Sequence, residues 1–314
     1  MYHPYFRGKQ FELITIREMA KLLAEKEFTP VIEPVRESLG GLKKTLSAVS
    51  DSGGRAIVIV NPYHGDHQED GASITGLLQE DFKDTGNISA GILLRSDMTV
   101  EEVMTCYDQH GDHQPVLIHA GFTAAKALAV KLGDKMAGLT NVFVEDQANT
   151  LYRKHFEGTN RILIRDGFKR RKNAEFAKIP VEEFSELHLT FQSDLGMNGF
   201  GDFLTVGDVY SDGGGPAYAV AIHLTFIDPN ADDVMRIYHF VSTTNDTPTD
   251  PAGKFAQALA KLIEKLDSGT SHILETEAIQ EFRGLHAKGH FPGLGYVKKL
   301  SMKHHIETLA AYFD

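Results

Sequence analysis

Glu33, His119, Asp146 and Asp166 are the residues of this chain best suited by type and position to acid–base or metal chemistry. Each stands at the end of a short apolar run, as do Asn61 with His64, Arg95, Glu145, Arg165 and Asp202. A converging site needs such a mixture. Carboxylates supply a general base or oxygen ligands to a hard divalent ion, an imidazole moves protons, and guanidinium groups grip phosphate oxygens. Glu33, His119, Asp146 and Asp166 are therefore the catalytic candidates, and Asn61, Arg95, Arg165, Lys169, Arg170 and Arg171 the ligand-binding ones.

Every candidate also has a plainer reading. Glu33 lies in PVIEPV, between apolar residues and beside Pro34. A carboxylate there is partly buried and needs a cation, which Arg95 or Arg165 would supply, and the pair would serve equally to close a fold. His119 ends the apolar run VLIH and is either a base or a hydrogen-bonded core residue. Asp146 and Asp166 with Glu33 or His119 would hold a divalent ion, but no HExxH-type spacing assigns metal ligands. The cofactor thus stays open, with a divalent metal as the candidate. The basic run 168–173 (FKRRKN) is a phosphate or nucleic-acid contact or a solvated loop.

Other motifs carry less. HGDHQ occurs at 64–68 and at 110–114, but the first copy follows a strand and the second precedes one, which puts them at opposite ends of a barrel. The glycine-rich stretches 201–208 and 212–216 lack the GK[ST] of a phosphate loop and do not open a helix. No GxSxG is present, and Cys106 falls mid-helix, so nothing supports a serine or cysteine nucleophile.

The elements that must position these groups alternate. A helix is expected over 11–27, where Leu13, Ile16, Met19, Ala20 and Leu23 keep helical spacing. Strands one to six are read at 28–33, 55–61, 88–95, 115–119, 140–146 and 161–166. Strands seven and eight are read at 199–207 and 217–227, with 235–242 as a hairpin partner. Helices at 36–52, 99–110, 122–137 and 147–157 make right-handed crossovers, and further helices follow at 254–266, 272–287 and 303–313. The expected fold is an α/β, (β/α)8 TIM-barrel-like domain over 1–250 with an extra β-hairpin, and a helical addition over 251–314 packed on it. Catalytic groups in such barrels come from the C-terminal ends of several strands.

Composition narrows the setting. A net charge of -11 restricts any nucleic-acid contact to a local, salt-sensitive patch. A single cysteine excludes an internal disulfide and suggests a reducing, cytoplasmic location. The N-terminal segment lacks an apolar signal core, and no apolar run is long enough to span a bilayer, so no membrane association is expected.

The stretch MYHPYFRGKQFELITIRE followed by FTPVIEPV resembles the opening of the bacteriophage-type beta protein family, TIM-barrel-like proteins. The blocks IRDGFKRRKNAEF, FSELHLTF, GFGDFLTVGD and GGPAYAVAIHLTFI resemble an uncharacterised bacterial branch of it, encoded next to a small partner protein in mobile or defence-rich regions. The resemblance spans most of residues 1–245. It implies a barrel, a role in phage defence or on a mobile element, and a protein partner encoded nearby. It would also give weight to Tyr5, Arg7, Lys9 and Glu12, which otherwise read as a mouth lining or a polar strap over the barrel bottom. It supplies no catalytic residues. Two functions follow: a hydrolase or phosphodiesterase acting on a phosphorylated small molecule or nucleic acid at a polar barrel mouth, or a non-catalytic sensor or partner-binding subunit of a two-protein system.

Overall fold

Runs of β-branched residues that are apolar on both faces form strands covered on both sides. The computed structural model describes residues 1–314. Its strands are β1 (Tyr5–Phe6), β2 (Val31–Ile32), β3 (Ala56–Ile59), β4 (Ile88–Leu94), β5 (Val116–His119), β6 (Thr140–Val144), β7 (Asn160–Ile164), β8 (Val181–Ser185), β9 (Gly199–Gly201), β10 (Ala221–Asp228) and β11 (Val234–Val241). The helices are α1 (Gln10–Glu18), α2 (Ala20–Glu25), α3 (Gly40–Asp51), α4 (Ala72–Asp81), α5 (Val100–Gln109), α6 (Ala125–Leu132), α7 (Thr150–Lys154), α8 (Leu187–Thr190), α9 (Pro251–Asp267), α10 (Glu277–Lys288) and α11 (Leu294–Tyr312). No helix is long and apolar enough to cross a membrane.

Two units are described separately: residues 1–165 with 187–203, and residues 166–186 with 204–314. The first is the TIM-barrel-like α/β unit. Its eight parallel strands run in the order β1-β2-β3-β4-β5-β6-β7-β9, with helices between them. The seam closes where the N-terminal segment meets β9. His3 N donates to Phe200 O at 2.7 Å, Tyr5 N to Asp202 O at 2.9 Å, and Phe200 N to Met1 O at 3.0 Å.

Side chains alternate across each strand, so every second residue points inward. Tyr5, Val31, Ile57, Ile59, Leu93, Val116, Ile118, Val142, Val144, Ile162, Ile164 and Phe203 fill the interior as one cluster. Gly91 belongs to that layer. A Cβ there would stand 2.9 Å from both Ile118 Cδ1 and Ile57 Cγ2, so the missing side chain makes room for its neighbours.

The strand count from sequence needs a correction. The N-terminal residues are barrel strand one rather than a strap, and 217–227 is not strand eight. That stretch overlaps β10, which pairs antiparallel with β11, and β11 pairs antiparallel with β8 in a separate sheet. The pattern explains why. Ile222, Leu224 and Phe226 point to one apolar face while His223 and Thr225 occupy the other, where Thr225 Oγ1 lies 2.9 Å from His305 Nδ1 and His223 packs on Phe168 and Phe176. One face is thus apolar and the other polar though covered, unlike a barrel strand that is apolar on both. This sheet and α9, α10 and α11 make up the second unit's core, with Phe240, Phe255, Leu259, Leu262, Ile279, Phe282 and Leu300 buried together. The hairpin expected beside the barrel thus shares its core with the C-terminal helices.

Candidate functional site

Glu33 follows Val31 by two positions, so it continues the inward face of β2 at the C-terminal mouth, with none of its side chain exposed. Its cation is Arg7, not Arg95 or Arg165 as the sequence suggested. Arg7 Nη1 pairs with Glu33 Oε2, and Tyr5 OH donates to the same oxygen at 3.1 Å. On Oε1, Tyr63 N donates at 2.9 Å and His64 N at 3.1 Å, and His64 Nδ1 lies at 3.0 Å. Burial pushes the carboxyl up, but the His64 bond, the Arg7 charge and the Tyr63 amide outweigh it and hold it down at about 2. The Arg7 guanidinium also lies over the Tyr5 ring at 4.9 Å and the Phe203 ring at 5.3 Å. This cluster ties β1, β2 and the loop after β3 together across the mouth. Glu33 is an anchored anion there, with both oxygens occupied.

His119 does not face that mouth. Ile118 is in the interior cluster, so the alternation turns His119 outward, where it stacks on Phe143 at 4.7 Å and meets Tyr152 and Phe156 at 5.3 and 4.5 Å. It is fully buried in a closed chain of hydrogen bonds. Tyr152 OH lies 2.6 Å from Nδ1, and Nε2 lies 2.9 Å from Asn141 Oδ1. Asn141 Nδ2 in turn donates to Thr159 Oγ1 at 2.9 Å, and Thr159 to Phe156 O at 2.7 Å. Burial pushes the imidazole down to about 4 against the Asn141 bond, so the ring is neutral near pH 7. With Nε2–H directed at Asn141, Nδ1 accepts the tyrosine proton, and neither nitrogen is left for a substrate. His119 is a core residue that fixes α7 to β5 and β6.

The remaining barrel candidates are largely engaged with protein. Asn61 replaces a ladder residue for β4, accepting from Leu93 N at 2.8 Å and donating to Leu93 O at 2.9 Å. Arg165 grips Glu145 with both arms of its fork, with Nη2–Oε1 at 3.0 Å. Arg95 meets Asp97 at 3.1 Å and lies 5.9 Å from the centre of the half-exposed Tyr63 ring. Asp146 is exposed and makes no side-chain hydrogen bond or ion pair.

The other candidates belong to the second unit. Asp166 accepts Phe168 N at 2.9 Å and Asp208 N at 2.8 Å, a clasp between two loops. Arg171 pairs by both arms with Glu182, with Nη2–Oε2 at 3.0 Å, and lies over the Phe176 ring. Lys169 stands 3.6 Å from Glu182 and is largely exposed, and Arg170 Nη1 donates to Val209 O at 3.1 Å. The sequence did not single out two partners of this cluster, His223 and His239. They face each other across the hairpin, Nδ1 to Nδ1 at 2.8 Å, and His239 Nε2 reaches Glu182 Oε1 at 3.2 Å. Burial lowers both imidazoles, His239 to about 4. Only the hairpin register, which pairs 223 with 239, would have revealed them.

Nowhere do three His, Cys, Asp or Glu side chains gather in a group that could hold a metal ion. Glu33, His119, Asp146 and Asp166 therefore do not form the oxygen and nitrogen cage that a divalent ion would need. The two HGDHQ copies stand apart as the topology required. His64 binds Glu33 at the mouth, and His110 lies before β5, with Nε2 3.3 Å from Thr75 Oγ1. No protein-family model matches the chain, and neither does any curated protein.

Proposed function

We propose that this chain is a non-catalytic recognition subunit, a barrel that senses a ligand or protein rather than turning one over. The observation that carries this reading is the state of Glu33: a carboxylate held at about 2 with both oxygens occupied cannot accept a proton in catalysis. Neutral, enclosed His119 and the closed Arg165–Glu145 fork support it. At the mouth, the groups offered as a contact surface are the exposed Tyr63 ring and Arg95 beside it. In the second unit Lys169, Arg170 and Lys172 of the basic run are exposed and suit a phosphorylated or nucleic-acid ligand. The family resemblance adds the setting, a two-protein system acting in phage defence or on a mobile element.

A metal-assisted hydrolase or phosphodiesterase is the second reading, favoured by one observation: Asp146 is exposed and unpartnered, and so free to act. The test is to supply Mg²⁺ or Mn²⁺ with bis(p-nitrophenyl) phosphate and with single-stranded DNA and RNA, and to compare Asp146→Asn. Recognition predicts no turnover above the metal blank. It also predicts that any protection of cells against phage survives Asp146→Asn and is lost in Tyr63→Ala with Arg95→Ala. Chelator-sensitive turnover that disappears in a folded Asp146→Asn protein would overturn it.

A further inference from the structure

The two most exposed large hydrophobic side chains of the whole chain are Val130, 76% exposed, and Leu151, 72% exposed. Isolated exposed aliphatics are ordinary. These two line a single open groove of about 900 Å³ on the first unit's helical shell, together with Ala127 and Tyr152. Val130 lies on α6 and Leu151 on α7, so the groove runs between neighbouring helices. Apolar side chains on both walls of one groove are the arrangement that marks a binding surface.

Charge tells what would sit there. Lys126 and Lys131 line the groove from α6, a helix with no acidic residue, and neither makes an ion pair or hydrogen bond. Lys126 and Val130 are four apart and share one helix face. The one acid in the lining is Glu101. In a chain of net charge -11, two uncompensated lysines flanking an apolar strip form a local positive field. The groove is open rather than enclosed, which suits a macromolecular segment better than a small substrate.

We infer that this groove docks an amphipathic segment of a partner protein, one that lays aliphatic anchors against Val130 and Leu151 and sets Asp or Glu beside Lys126 and Lys131. The anchors would follow the i, i+4, i+7 spacing of a helix laid in a groove. The inference rests on the recognition reading in that both assign the chain to binding, but it concerns a different surface from the mouth.

The test uses the full chain and two fluorescein-labelled helical peptides in anisotropy titrations. One has Leu at i, i+4 and i+7 with Glu around them, and the other has Lys in place of Glu. The acidic peptide is expected to bind, with affinity that falls as salt is added, while the basic peptide does not. Val130→Asp and Leu151→Asp should each weaken binding roughly tenfold or more, as loss of a buried anchor does. Lys126→Glu with Lys131→Glu should reverse the preference between the peptides. All four positions are exposed, so circular dichroism should show an unchanged fold. Equal binding of both peptides, no binding of either, or an acidic-peptide affinity unchanged by Val130→Asp overturns the proposal. So does concentration-dependent self-association that Val130→Asp abolishes, because the occupant would then be a second copy. The outcomes separate from those of the recognition reading. Failed peptide binding leaves the mouth variants' loss of protection intact, and turnover lost in Asp146→Asn leaves the groove intact.

Discussion

Glu33 carries no exposed surface, and the fold tolerates its charge only because Arg7, Tyr5, His64 and the Tyr63 amide surround it. Replacing it with Gln leaves the Arg7 charge without its partner. Removing one member of a buried pair costs about 3–5 kcal/mol, so Glu33→Gln should be strongly destabilised in urea unfolding at neutral pH. The sign of the pH effect follows from the lowered carboxyl. Its folded value of about 2 lies below the ordinary 4.5, so the pair's stabilisation is fully present above about pH 4.5 and is lost as pH falls toward 2. That shift corresponds to roughly 3 kcal/mol, and the Gln variant should lack this part of the acid slope. An unchanged slope in the variant would mean that Glu33 is not the anchor described. His119 titrates in another window. Its folded value of about 4 lies below 6.5, so the unfolded chain takes up a proton that the folded ring refuses. That contribution is present above about pH 6.5 and drains away as pH falls to 4. His119→Leu should shallow the slope between those values and, by stranding Asn141 and Tyr152, cost about 1–3 kcal/mol. Loss of function in a His119→Leu protein of undiminished stability would instead point to a working base.

Among elements, the seam between β1 and β9 is the most demanding. A Cβ at Gly201 would stand 2.0 Å from His3 O and 2.5 Å from Ile164 Cδ1, so Gly201→Ala must push two backbones apart. Overpacking typically costs about 1–3 kcal/mol, and a clash with backbone belongs at or above the top of that range. The Ala variant should lower the thermal midpoint and speed amide exchange at His3 and Tyr5, whose N–H groups close the seam. Exchange unchanged at those two amides would sink this account. The same seam shows where the sequence could be read and where it could not. β3 to β7 stood out because each is a run of residues apolar on both faces, as a covered parallel strand requires. β1 did not, since its ladder with β2 spans only Tyr5 and Phe6 beside a proline and a glycine, and on its other side Tyr5 N bonds Asp202 O, about 200 positions away. The site divides the same way. Polar strand ends were visible, but inward and outward positions depend on strand parity. Ile118 is inside and His119 is therefore outside, a distinction the residue types alone do not carry. Arg7 escaped as the partner of Glu33 because its strand escaped.

For the molecule as a whole, the consequential question is where the chain can be cut. The sequence pattern suggests ending the barrel domain at residue 250 and treating 251–314 as an addition. The core of the second unit argues for a different outcome. Ile222, Leu224 and Phe226 on β10 and Phe240 on β11 are buried against side chains of α9, α10 and α11, among them Phe255, Leu262, Phe282 and Leu300. Removing residues 251–314 would uncover the apolar face of a three-stranded antiparallel sheet whose length and alternation make it a ready template for association. Each fully buried large aliphatic or aromatic side chain contributes about 1.5–3 kcal/mol on burial, so exposing that face removes far more than a loop deletion would. A 1–250 fragment should therefore be recovered mostly as aggregate, or as a species that binds the dye ANS strongly. Adding residues 251–314 back as a separate chain should reduce that dye binding by covering the sheet again. A 1–250 fragment that is monomeric, dye-silent and as stable as the full chain would mean that the sheet does not depend on the helices. The cut at 250, rather than the division of cores, would then mark the true boundary.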